Sequence, residues 1–208
     1  METLDSPAAI DTSAPEHRIR LLQAMAKVAT AKSLAAATIA DIVREAGVSK
    51  RTFYEHFDSK EACFLALYRA ASASALKTLR EAVQPDRPWQ TQVEQVLGAY
   101  LAHLAGGTGL IRTLFVEIHH LGTAGLAVRR EVMQDLADFM AQTVNASVQP
   151  GVSPGHTLSP AMALAAVGGI NELILAAVER GETERLTDLA PCASELVRAL
   201  THAGAYGL

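Results

Sequence analysis

A glycine sits between two helix-capping hydroxyl residues in the segment 38–60, TIADIVREAGVSKRTFYEHFDSK. That spacing leaves few ways to fold. The Thr38 hydroxyl is placed to accept from an early helical N–H. Ile39, Ile42, Val43 and Ala46 then recur at helical spacing. Gly47 follows the last turn, where the backbone often goes left-handed and a side chain would clash. Val48 can plug the core beneath the turn, and Ser49 caps a second helix, Lys50–His56. That helix puts Phe53 and Phe57 on one face and Lys50, Arg51, Thr52, Tyr54 and His56 around the rest. One short helix braces, and the next offers basic and hydroxyl side chains to a major groove. This is helix-turn-helix geometry.

Over Thr38–Glu61, T-I-A-D-I-V-R-E-A-G-V-S-K-R-T-F-Y-E-H-F-D-S-K-E, the chain resembles the TetR family of bacterial transcriptional regulators. Glycine, caps, aromatics and trailing lysine all fall at the family's offsets. The rest of the chain resembles the family in length, helical character and helix order. The resemblance implies three helices for DNA and six for a regulatory body. It also implies a cavity for a small effector among helices four to eight, and backbone contacts to DNA from Tyr54, His56 and Lys60.

Composition agrees with an all-α chain. Half of the 208 residues are apolar, which permits a sizeable core, and aromatics are only 5%. The net charge of −4 argues against nucleic acid, but its distribution does not. Residues 16–60 carry eight Lys/Arg against five Asp/Glu, a net +3, leaving −7 for the remainder. A basic head on an acidic body suits a phosphate-facing module joined to a different domain. Cys63 and Cys192 lie far apart without CxxC spacing and read as small apolar residues in a reducing cytoplasm. Residues 1–15 are polar and acidic, read as a disordered arm, and carry no apolar signal segment.

The expected helices are Glu16–Ala31, with Ile19, Leu22, Met25, Ala26 and Ala29 inside, then Ala37–Glu45 and Ser49–Phe57. A long fourth helix runs from Asp58 or Ser59 to about Val83 and links the head, 16–60, to the body, 61–208. Later ones are Trp89–Ala105, Leu110–Leu121, Gly122 to about Ser147, Ala161–Gly181 and Glu184–Ala203. Pro191 is expected to kink the last, and Gln149–Pro160 reads as a loop. Ala161–Val178 is apolar enough to suggest a membrane span, but Asn171 and Glu172 within it make a buried helix the better reading.

Lys50 and Arg51 can donate to guanine O6 and N7, and Thr52 can meet a thymine methyl or a phosphate. Ser49, Thr38 and Arg44 complete the expected DNA-facing set, the last two as phosphate contacts. One such module buries too little surface for tight specific binding, so a homodimer on a palindromic operator is expected. Gly168, Gly169, Leu173, Ile174 and Val178, with Leu196, Val197 and Leu200, form the expected interface.

For the effector, the candidates are Tyr100, His103, Phe115, Glu117, His119, His120, Phe139, Met162 and Asn171. Mostly apolar walls suggest a mainly hydrophobic organic molecule. Glu117 and His120 form an E-x-x-H pair, which raises a metal sensor as an alternative, though no second pair exists to complete a dimetal site. G-x-S-x-G, P-loop, G-x-G-x-x-G and H-E-x-x-H are all absent, so catalysis is not expected and no cofactor is implied. An all-α binding protein or enzyme with an incidental helix-turn-helix is the competing class.

Overall fold

The computed structural model describes residues 14–146 and 157–203. Among them are nine α-helices, two 3-10 segments and no strand. The chain divides into two compact units, Met1–Ala66 and Leu67–Leu208. Most of the expected arm, and most of the loop expected at 149–160, lie outside the described residues.

The first unit holds α1 (Ala14–Lys32), α2 (Ile39–Ala46), α3 (Lys50–His56) and the start of α4 (Lys60–Glu81). Leu21, Met25, Ile42, Phe53 and Phe64 are fully buried and make its core. Ile19, expected inside, is exposed; Leu21, Ala24, Met25 and Val28 carry the inner stripe instead. The α2 start is a full capping box, with Thr38 Oγ1 accepting from Asp41 N at 3.1 Å and Asp41 Oδ2 accepting from Thr38 N at 3.2 Å. It ends at Gly47, whose φ of 63° is left-handed.

The second unit holds the rest of α4, α5 (Trp89–Gly106), α6 (Thr108–Glu117), α7 (Gly122–Asn145), α8 (Pro160–Glu179) and α9 (Ala190–Ala203). A 3-10 turn, Ile118–Leu121, separates α6 from α7, where a single helix to Leu121 was expected. Gly122 adopts φ 54°, ψ −140°, a conformation that side chains rarely allow. Gly125 then passes so near the turn that a Cβ would sit 2.3 Å from the Ile118 carbonyl oxygen. The Asn145 side chain donates to the Leu158 carbonyl at 3.0 Å and accepts from the Leu158 N–H at 2.9 Å.

Helix α8 opens on a Ser159 cap with Pro160 at its first position, where a missing N–H costs nothing. It is long and apolar enough to cross a membrane. Its buried stripe, including Ala163, Val167, Ile170, Ile174 and Val178, packs into the core. The last expected helix divides: Thr183–Leu189 is 3-10 and α9 begins at Ala190. Pro191 therefore sits in a first turn rather than kinking a helix.

Candidate functional site

In the first unit α3 buries Phe53 and Phe57 and leaves Lys50, Arg51 and Tyr54 exposed, with Thr52 and His56 half-buried. Its N-terminus is fixed by Ser49, whose Oγ accepts from Thr52 N at 3.0 Å. The Ser49 and Thr52 hydroxyls also pair at 3.0 Å, so both serve the cap. Arg51 is 89% exposed and holds a loose i,i+4 pair with Glu55 at 3.1 Å, which a better acceptor can displace. The Tyr54 ring meets Phe53 edge-on at 5.6 Å, so its position is fixed while its hydroxyl end faces outward. Arg44 remains on the surface, paired to Asp41 at 2.7 Å. The Lys32 ammonium at 2.9 Å, followed by the Thr38 hydroxyl, holds the Asp41 carboxyl well below the usual range.

Lys60 does a different job from the expected phosphate contact. Its Nζ donates to the carbonyls of Leu34, Ala35 and Ala37 at 2.9, 3.1 and 2.8 Å. An ammonium has three protons, and all three are used within the protein. Arg20 went unnoticed in the sequence. Its Nε donates to Ala46 O at 3.0 Å and Nη2 to Gly47 O at 2.9 Å, holding the turn from 26 residues away. No local pattern signals such a contact. Cys63 is buried against Leu21, and burial pushes its thiol up to about 12.

The second unit encloses a cavity of about 470 Å³ and, sharing Tyr100, Leu136 and Asn171 with it, an almost wholly apolar pocket of about 50 Å³. Of the sequence candidates, Tyr100, His103, Phe115, Phe139 and Asn171 line these spaces. His119 lines a narrow branch reached past Tyr68, Phe115 and Asn171. Three candidates are not brought in. Met162 lies on the outer surface, and His120 is 68% exposed with Nδ1 3.5 Å from Glu117 Oε2, outside the cavity linings. Among the described residues no three His, Cys, Asp or Glu side chains gather as a metal would need. Missed from the sequence were Tyr68, Ser72 and Leu136, which α4 and α7 turn inward, and Arg129 in the branch.

The family model for bacterial regulatory proteins of the tetR family matches residues 21–67. That span contains the capping box, the left-handed glycine and all of α3. The chain carries a TetR-family DNA-binding head. The UidR transcriptional regulator of Escherichia coli K12 is 28% identical over 149 residues, 70% of this chain and 74% of that one. Nucleoid occlusion factor SlmA of a Marinomonas strain is 24% identical over 147 residues, 70% of this chain and 75% of its own. FadR of Bacillus subtilis, solved in complex with stearoyl-CoA, has the same fold, with a TM-score of 0.70 and 16% identity over 88% of this chain and 98% of that one.

The chain is a DNA-binding transcriptional regulator, and its TetR-type head explains the motif residue by residue. Its expected dimer surface needs correction. Ile174, Val178 and Val197 are each 0% exposed inside the second unit. A Cβ on Gly169 would stand 3.0 Å from Leu196 Cδ2, so Gly169 and Leu196 serve α8–α9 packing within the chain. Gly168 looks toward Met133 of α7. Leu173 and Leu200 are half-buried. The apolar residues that α8 leaves exposed are Pro160, Ala161, Met162, Leu164 and Ala165.

Proposed function

We propose that the chain is a homodimeric repressor, released from a palindromic operator by a small, mainly apolar molecule held in the second unit. The observation that carries this is the cavity of about 470 Å³. It is apolar over most of its lining, with a few polar groups, in the same chain as a groove-reading helix. FadR shares the fold and holds stearoyl-CoA; the lining of this chain's own cavity supports the ligand class.

Lys50, Arg51 and Thr52 read bases; Thr38, Arg44, Ser49, Tyr54 and His56 position the head on phosphates. Thr38 and Ser49 do so through the helix N-termini they cap. Two heads are needed, since one buries too little surface for tight specific binding. The exposed apolar residues of α8, Leu164 and Met162 foremost, are the surface for pairing. Tyr68, Ala71 and Ser72 lie on α4 and line the cavity, and α4 is one unbroken helix from Lys60 to Glu81. A ligand pressing on α4 alters the separation of the two heads. Half-sites lie about 34–36 Å apart, so a small shift breaks simultaneous docking.

The test is selection of binding sites from a random DNA pool, then a screen of lipophilic metabolites for release of the winning site. A palindromic winner released by one class of apolar compound is the expected result. A protein with no preferred site, or whose site no such compound releases, contradicts the proposal.

A further inference from the structure

The large cavity has a polar corner that the protein leaves unfinished. Tyr100 is buried, and neither its hydroxyl nor that of Tyr68 has a hydrogen-bond partner among the described residues. Asn171 donates its amide to Val167 O at 3.0 Å, which leaves its side-chain oxygen open at the point where all three spaces meet. Arg129 is half-buried in the narrow branch beside Tyr68 and makes no ion pair with any described carboxylate. Glu172 lines the same branch but is exposed and lies beyond ion-pair distance; His119 there is exposed too. None of these polar atoms is sealed in the core; they face the cavity and its branch, where a ligand's polar end can pair with them. A guanidinium partly withdrawn from water pairs most strongly with an anion.

We propose that the effector is a lipophilic organic carboxylate, its headgroup held by Arg129, Tyr68 and Asn171 and its apolar body lying toward Tyr100 and Phe139. This rests on the effector cavity proposed above and names what that cavity selects. The donors fit the charge: one guanidinium and neutral hydroxyls balance a single negative charge, as a carboxylate carries. The branch is narrow, about 10 Å³, with room for one oxygen of the headgroup beside Arg129. Beyond the corner the walls turn apolar, through Leu136 and Met140 to Phe139. That gradient orders a molecule with one anionic end.

The test uses the full chain and three probes of one chain length, decanoate, decan-1-ol and decylammonium, below their micellar concentrations, in titration calorimetry. Decanoate is expected to bind one per chain, about tenfold or more tighter than decanol. Arg129→Gln should erase that preference, and Tyr68→Phe should weaken decanoate several-fold without affecting decanol. Thermal unfolding establishes that each variant is folded; should Arg129→Gln not fold, Tyr68→Phe and the probe series still decide. Decanol binding as tightly as decanoate, a preference for decylammonium, or an unchanged preference in both variants would overturn the carboxylate. In those cases the cavity itself stands if Leu136→Trp, which fills it, abolishes decanol binding. Failure of all three probes to bind would remove the carboxylate and the effector cavity together.

Discussion

Replacing Lys60 by methionine separates a structural lysine from a phosphate-binding one. The variant keeps the length and apolar stem of the side chain and removes three donors. Those donors serve the carbonyls of Leu34, Ala35 and Ala37, just before the α2 cap. The Ala35 bond is exposed, so water replaces it at little cost. The other two are part-buried, and each carbonyl left short of a partner costs on the order of 1 kcal/mol. The variant should therefore lose about 2 kcal/mol of stability in the first unit. Urea unfolding reads that loss. Operator binding across a salt series reads the other possibility, because each phosphate contact contributes about 0.9 to the slope of log affinity against log salt. The expected slope is unchanged. Normal stability with a slope reduced by about one contact per subunit would refute the clamp and restore Lys60 to the DNA backbone.

Arg51→Ala should leave the fold intact and cost about 1–3 kcal/mol per half-site, erasing the preference for operator over random DNA; competition binding measures it. Gly47→Ala should destabilise the head by roughly 1–2 kcal/mol, because φ 63° strains any side chain. The new Cβ would also meet Arg20 Nη2 at 3.0 Å. Leu164→Glu should give soluble, folded monomers by light scattering, whereas Ile174→Glu, at a core position, should unfold the second unit. Stability should also depend on Asp41. A carboxyl held below its unfolded value stabilises fully above about pH 4 and loses that contribution as pH falls through its folded value. Asp41→Asn should flatten the acid limb of the stability curve, and an unchanged limb would place the acid sensitivity elsewhere.

The head was legible because its instructions are local. A cap, its partner three residues on, a left-handed glycine and a second cap lie within a dozen residues, each with one physical role. The long-range fastenings were not legible. Arg20 and Lys60 reach across 23 to 27 residues, and the sequence alone offered Lys60 as a free cation. In the body, composition made α8 a buried helix but could not say which of its apolar faces turned inward. Ile174 and Val178 proved to be core, and Leu164 the surface residue. Similarly, Tyr100, Phe139 and Asn171 were found as polar or bulky residues on apolar helices. Tyr68 falls on the inner apolar stripe of the fourth helix in the sequence and so reads as plain core, while Arg129, an arginine on an amphipathic helix, looks like ordinary surface until neighbouring helices enclose it.

The reciprocal amide contact between Asn145 and Leu158 fixes the chain on both sides of residues 147–156. Core helices α7 and α8 therefore do not sense how many residues join them. Lengthening a connection whose ends are already held costs only about 0.6 kcal/mol per doubling. The Asn145–Leu158 pair is thus a staple that holds the end of α7 to the start of α8 whatever the length of chain between them.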